Sequence, residues 1–282
     1  MKICKKKKVS FQGIHGAYSD MVCRKHYKDH ITLPCKTFED TMNSVENDKA
    51  EIAMIPVENS IAGRVTDMHL ILQQTKLKII AEYYHKIEHN LLSKKNAKIQ
   101  DLLLIYSHEQ ALTQCKDNIK KINKTPIKYD DTAGAALFIS KSQSKSNGAI
   151  ASDLAAKIYK LKILKKNFQD KKNNITRFLV FSKKQKKVSS SKKVRTTIVF
   201  ETKNLPASLY KALGGFANNG INLSRLESFF VNEEFRQSSF LLDIESHPND
   251  NSFRKALTEL KKYSISIKIL GYYEAARLKA NN

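Results

Sequence analysis

The chain has 282 residues, 41% of them hydrophobic, with 13 Phe and 11 Tyr, enough for a packed core in one large or two smaller domains. No stretch approaches the ~20 consecutive apolar residues of a membrane span, and the basic start MKICKKKK lacks the apolar run of a secretory signal. The net charge of +23 invites a nucleic-acid reading, but only eight of the 50 basic residues are arginine, the side chain suited to bidentate phosphate and base contacts, and the lysines are spread along the chain.

Residues 1–8 read as a solvated basic tail. From Val9 to Phe181, strand-like runs alternate with helical patterns. KVSFQG, EIAMIPVE, LKIIAEYY, DLLLIYSH and TRFLVF are the strands. RVTDMHLILQQT, EQALTQCKDNIKKIN and ASDLAAKIYKL carry apolar residues at a spacing near 3.6 and predict helices between them. Such alternation predicts a mostly parallel sheet with crossover helices. The Lys/Ser-rich stretch 182–193 has no apolar period and reads as a linker.

Beyond the linker the pattern changes. VRTTIVFET is a strand, and LPASLYKALGGFANNG a helix with Pro206 in its first turn, one stripe of Leu209, Leu213 and Phe216, and a left-handed stop at Asn219-Gly220. INLSRLESFFV, SSFLLDIES and SIKILGYY are strands, and DNSFRKALTELKKYS is a second helix. The order β-α-β-β-α-β predicts a ferredoxin-like α+β domain over 194–274, with 275–282 as a tail.

Cys4, Cys23, Cys35 and Cys115 form no CxxC pair, which indicates neither a zinc site nor a disulfide framework and suits a reduced, cytoplasmic protein. Chemistry is sought beyond the carboxyl ends of the strands, where α/β sheets bind ligands. Glu58, Asn59 and Ser60 follow one apolar run, with Gly63 and Arg64 beyond; Ser60 as a plain helix N-cap is the competing reading. Gly13 and Gly16 occupy another strand-to-helix turn, where they would let backbone approach a ligand. Ser107 and His108 end a third strand, with Gln110 and Gln114 one helical turn apart. His108 and His89 read more readily as structural hydrogen bonders than as catalysts. Asn174, Thr176 and Arg177 crowd the entrance of the apolar run FLVF with an amide, a hydroxyl and a fixed cation. Hydroxyls, amides, a carboxylate and one or two arginines suit an anionic small molecule, held without metal or covalent step.

In order along the chain, FQGIHGAYSD, IPVENSIAGRVTD, YSHEQALTQC and NNITRF resemble the motifs of the prephenate dehydratases, although Ile14 stands where a proline is usual. The resemblance runs from Val9 to about Tyr273 and implies a catalytic domain over 9–181, of two α/β lobes similar to periplasmic solute-binding proteins, followed by an ACT domain over 194–274. It implies conversion of prephenate to phenylpyruvate, water and CO2 with no cofactor. Thr176 aligns with the family's essential hydroxyl, with Glu58, Asn59 and Gln114 as catalytic or orienting groups and Ser107, Arg177, Ser60, Gly13 and Gly16 around the substrate. Strand alternation sets Thr176 and Arg177 on opposite faces, so Arg177 either touches substrate or orients the lobes. Leu209, Asn222, Glu227 and Ser228 match the family's phenylalanine-sensing site, but PASL and ESFF replace a usual glycine with Ala207 and a usual cation with Phe229. The resemblance further implies a homo-oligomer, dimer or tetramer, free of nucleic acid and membrane. Arogenate dehydration and a catalytically inactive solute-binding role are the alternatives.

Overall fold

The computed structural model describes residues 6–65, 68–189, 191–203, 205–230 and 238–276. It divides into two compact units, residues 1–65 with 84–178, and residues 66–83 with 179–282. Residues 66–83 thus join the C-terminal part of the chain although they lie within 9–181. Among the described residues no helix is long and apolar enough to cross a membrane.

The first unit opens with β1 (Lys8–Gln12), α1 (Tyr18–His26), β2 (Ile31–Cys35), α2 (Phe38–Glu46), β3 (Ile52–Asn59) and β4 (Gly63–Arg64). Strand β1 runs parallel to both β2 and β3. Its Val9 and Phe11 are fully buried, as are Ala53, Met54 and Ile55 of β3, so this sheet is covered on both faces. Helix α2 starts at a capping box, in which Thr37 Oγ1 accepts from Asp40 N–H and the Asp40 carboxylate from Thr37 N–H.

After β3 the chain does not enter a helix directly. Gly63, at φ +79°, turns it back so that Arg64 pairs with Glu58 in a short hairpin. The predicted helix starting at Arg64 is therefore shorter, α3 (Met68–Gln74), and is followed by β5 (Lys78–Lys86). Residues 66 and 67 of that prediction lie outside the described residues.

The second lobe of the first unit holds β6 (Asn90–Ser93), β7 (Leu104–Ser107), α4 (Glu109–Gln114), α5 (Lys116–Lys121), β8 (Thr125–Lys128), α6 (Thr132–Lys141), β9 (Asn147–Ala151), α7 (Asp153–Ile158) and β10 (Lys162–Lys165). Its sheet has the order β10-β6-β9-β7-β8. β7 is parallel to both β8 and β9, whereas β6 is antiparallel to both β9 and β10. The expectation of a mostly parallel sheet holds for β1, β2 and β3 and is corrected here, where two of the four strand pairings are antiparallel. Adjacent residues of β6 serve opposite layers: Leu91 packs with Ile105, Ile150 and Phe168, and Leu92 with the alanines of α6, β9 and α7.

The single helix expected over 109–123 is two. It breaks at Cys115, whose side chain is fully buried, and the Asp170 carboxylate accepts from the N–H groups of Asp117 and Asn118 at the start of α5. A carboxylate on those otherwise unpaired N–H groups supports a fresh helix start. The chain then returns along β11 (Ile175–Ser182), beside β3.

The second unit carries β12 (Val194–Thr202), α8 (Ser208–Asn218), β13 (Leu223–Phe230), β14 (Ser238–Ile244), α9 (Asn251–Tyr263) and β15 (Ser264–Glu274). The strand order β13-β14-β12-β15, antiparallel throughout, is the expected ferredoxin-like sheet. Ile198, Phe200, Phe240, Leu242 and Ile244 face α8 and α9, which contribute Ala212, Phe216, Phe253, Ala256 and Leu260. Pro206 precedes α8 rather than entering its first turn, and the left-handed stop expected at Asn219-Gly220 is made by Gly220 (φ +65°). On the other sheet face Thr197 Oγ1 donates to Asp243 and shares a hydrogen bond with Tyr273.

Residues 66–83 are built into this unit. Ile79 pairs with Gly271, the Lys268 ammonium donates to the carbonyls of Gln73 and Thr75 at the end of α3, and Arg195 holds Glu82 at 2.6 and 2.7 Å. A cation on a helix C-terminus offsets the exposed carbonyls there. A Cβ at residue 271 would collide with the backbone of Ile79, which has no freedom to yield. Gly271→Ala is expected to lower unfolding stability by about 1–3 kcal/mol, the usual cost of overpacking, read from urea denaturation; an unchanged midpoint would contradict this pairing.

Candidate active site

The site is built where β3 ends and β11 begins. Ser60 N–H donates to Ile175 O (2.8 Å), Asn59 contacts Thr176, and Glu58 faces Arg177, so the two strands run antiparallel with these residues opposite one another. Ser60 Oγ closes the junction, accepting from Ile175 N–H and donating to Asn173 O. It is thus a tie between strands and not a helix cap.

Because side chains alternate along a strand, this register sorts the expected site residues into two sets. Asn59 and Thr176 share one face. Glu58 and Arg177 share the other, with 3.9 Å between carboxylate and guanidinium; the Arg177 side chain is 4% exposed and that of Glu58 45%. The structure does not bring Arg177 to the hydroxyl of Thr176.

From the first face, a continuous line of five side chains runs through the first unit. Asn59 Oδ1 accepts from the backbone N–H groups of Ile61 and Ala62 at 3.0 and 2.8 Å. Its Nδ2 donates to Thr176 Oγ1 at 2.9 Å and to Asn174 Oδ1 at 2.7 Å. Asn174 Nδ2 donates to Gln114 Oε1 at 2.7 Å, and that oxygen also meets His89 Nε2 at 2.8 Å. Asn174 is fully buried, His89 and Thr176 nearly so. The Gln114 backbone is held as well, since its carbonyl accepts from Asp170 N–H.

The polarity of this line follows from its anchor. Two backbone N–H groups on Asn59 Oδ1 leave only its NH2 to face Thr176, so Thr176 Oγ1 is an acceptor there. Its own O–H proton is directed elsewhere, with no acceptor for it among the described residues. A hydroxyl that accepts a hydrogen bond is polarised toward donating its own. The arrangement can therefore present a single, activated O–H donor to a bound molecule.

Other expected residues take different places. Ser107 is fully buried and donates to Ile150 O across to β9, so its proton is committed to the sheet. Gly16, at φ +94°, approaches protein: a Cβ there would lie 2.9 Å from Ala155 Cα, and its carbonyl accepts from Ser152 Oγ at the N-cap of α7. Gly13, at φ +114°, lies against Ala17. Asn174, read at the entrance of FLVF, joins the line, and His89, read as a structural hydrogen bonder, meets it at Gln114, a contact that no local signal marked.

In the second unit, Leu209 packs partly into the core of α8 and α9, and Asn222 Nδ2 donates to Glu245. Glu227 Oε1 accepts twice from the Arg225 guanidinium, and Ser228 follows on β13. Ala207 N-caps α8 at φ +62°, ψ +11°, a conformation that favours glycine.

Burial holds the pKa of His89 below the ordinary histidine value and lowers that of His85 to about 4, so both imidazoles are neutral near pH 7. The unfolded chain then binds protons first as pH falls below about 6.5, and the folded state loses stability from there down toward pH 4. Urea midpoints taken from pH 7 to 4.5 should fall, less steeply in His85→Asn; an equal slope in that variant would contradict the assignment.

The family profile described as prephenate dehydratase matches residues 9–186. A Komagataeibacter europaeus protein named bifunctional N-acyl-homoserine lactone acylase/prephenate dehydratase is 39% identical over 269 residues, 95% of this chain and 96% of that one. Arogenate dehydratase 2 of Petunia hybrida is 34% identical, over 94% of this chain and 71% of that protein. The crystal structure of prephenate dehydratase from Arthrobacter aurescens in complex with L-Phe is similar at a TM-score of 0.86 and 26% identity, covering 95% of this chain and 90% of that one.

Proposed function

The chain belongs to the prephenate dehydratase family, and from that premise we propose that it converts prephenate to phenylpyruvate, CO2 and water, with Thr176 as the group acting on the leaving hydroxyl. Prephenate carries a ring carboxylate para to a ring hydroxyl. The electron pair of the C–CO2⁻ bond moves into the ring, CO2 departs, and the C–OH bond breaks at the far end. Hydroxide is a poor leaving group, so the barrier lies in stabilising negative charge on that oxygen. The observation that carries this reading is the bond from Asn59 Nδ2 to Thr176 Oγ1, which leaves the threonine proton for the departing oxygen. A free threonine hydroxyl is too weak an acid to lead the step by full transfer. The reading is electrostatic stabilisation of the departing hydroxide, which takes one proton from solvent to become water while Thr176 keeps its own.

In this reading Asn59 and Gln114 orient rather than transfer protons. The ion pair of Glu58 and Arg177, on the opposite strand face, holds the β3–β11 junction in register. Ser60 does the same through the backbone of 173–175. The net charge of +23 favours approach of a dianion at low ionic strength.

The relatives named as arogenate dehydratase and as an acylase support testing two further substrates. Arogenate differs from prephenate only remote from the ring, where an ammonium replaces the ketone, so the same Thr176 chemistry would serve it. Phenylalanine is the proposed effector of the ferredoxin-like module, read as an ACT domain, and the relative solved with L-Phe supports that effector; a cytoplasmic homo-oligomer is part of the same proposal. Leu209, Asn222, Glu227 and Ser228 are its proposed contacts.

Turnover of prephenate, arogenate and an N-acyl-homoserine lactone by the purified protein tests the substrate, with prephenate expected to have the highest kcat/KM. Thr176→Ala is expected to lower kcat by about 100-fold or more, as loss of a transition-state donor does, with Thr176→Ser recovering part of it. Full activity in Thr176→Ala would overturn the assignment. Ala207→Gly is expected to relieve about 1 kcal/mol of left-handed strain and to tighten phenylalanine binding in calorimetry; weaker binding would place the effector elsewhere.

A further inference from the structure

The line of amides extends past Gln114 to two residues remote from the reacting hydroxyl. Tyr18 Oη lies 2.7 Å from His89 Nδ1 and 3.1 Å from Glu88 O, and the two rings meet edge to face at 5.4 Å. His89 belongs to the link 87–89 between β5 and β6, and Asn174 to the link that brings the chain back from β10 into β11. The His89 backbone is fixed at both groups, its N–H to Gln169 Oε1 and its carbonyl to Phe168 N–H. The imidazole thus stands in a frame with little freedom to rotate.

Each amide in the line has one acceptor oxygen and one NH2, so the line has a direction, and its direction is set at the Asn59 end by two backbone N–H groups. Asn59 donates to Asn174, Asn174 donates to Gln114, and Gln114 therefore turns its oxygen toward both Asn174 and His89. His89 must then carry its proton on Nε2. Being neutral, it has a bare Nδ1, so the single proton of Tyr18 goes to that nitrogen at 2.7 Å rather than to Glu88 O at 3.1 Å, a carbonyl that also accepts from Asn90 Nδ2.

The opposite tautomer breaks the line. A bare Nε2 calls for the NH2 of Gln114, which then confronts the NH2 of Asn174. If Asn174 flips in turn, its NH2 confronts that of Asn59, which cannot flip. A buried donor facing a donor is strongly unfavourable, and the strain falls on Asn59, the group that holds Thr176.

We propose that His89, set by Tyr18, is a positioning residue for the dehydration: its Nε2 proton fixes the Gln114 amide and, through Asn174 and Asn59, the hydroxyl of Thr176. The inference rests on Thr176 being the reacting group. Neither Tyr18 nor His89 contacts the substrate in this account; they act by keeping an oxygen-donor geometry that tolerates little displacement.

The test joins ¹⁵N NMR of the imidazoles to steady-state kinetics. In the wild-type protein the ring of His89 is expected to be protonated at Nε2 alone. His89→Leu is expected to lower kcat by about tenfold or more, as misplacement of a reacting group does, with a smaller change in KM. His89→Gln, whose NH2 can take the place of Nε2–H, should recover most of that loss. Tyr18→Phe should lower kcat less and mix the two tautomers of His89. Protonation of wild-type His89 at Nδ1 would overturn the proposal, as would equal kcat in the Leu and Gln variants. If His89→Leu does not fold, the Tyr18→Phe tautomer mixture and kcat decide alone. A wild-type protein that turns over neither prephenate nor arogenate would defeat the functional reading, while the tautomer would still report on the hydrogen-bond line.

Discussion

The structure around Thr176 depends on one amide. Asn59 has a single oxygen and two hydrogens to place in a largely buried setting, and all are committed: the oxygen to the backbone of Ile61 and Ala62, the hydrogens to Asn174 and Thr176. No other orientation satisfies its neighbours. From this follow the acceptor role of Thr176 Oγ1 and the orientation of every amide as far as His89. The hairpin turn at Gly63 matters for the same reason, since it ends β3 just beyond Asn59.

The second constraint is the pleat of the sheet. Two antiparallel strands with Asn59 opposite Thr176 necessarily set Glu58 opposite Arg177 on the reverse face. One pair of dipeptides therefore sets an uncharged pair on one face of the strands and a charged pair on the other. The separation keeps a fixed cation from lying directly against the threonine hydroxyl. In the second unit the same alternation splits β12 into Ile198 and Phe200 toward the helices and Thr197 toward Asp243 and Tyr273.

What could be read from the sequence was local. Thr176, Asn59 and the polar ends of their strands stood out because apolar runs stop abruptly there, and alternation already set Arg177 apart from Thr176. The β-α-β-β-α-β order of the second unit was legible because its strands and helices are long and cleanly patterned. What depended on distant partners was not. Ser107 at a strand end looks the same whether it meets a ligand or, as here, Ile150 O, 43 residues away. Gly16 looked like room for a ligand, and its neighbour is Ala155. The helix over 109–123 has an unbroken apolar period, and its break rests on Asp170, 53 residues from the N–H of Asp117. His89 is joined to Tyr18 across 71 residues and to Gln114 across 25, and no spacing rule reaches that far.

The central claim is that the proton of Thr176 faces the departing oxygen while Asn59 holds the hydroxyl from behind. A crystal structure with a ring-saturated prephenate analogue, which keeps the hydroxyl but cannot aromatise, tests it most directly. The account places Thr176 Oγ1 within about 3 Å of the ring hydroxyl, a hydrogen-bond distance, with the Asn59 contact intact. A ring hydroxyl turned toward Glu58 and Arg177, or a Thr176 side chain rotated away from Asn59, would contradict it.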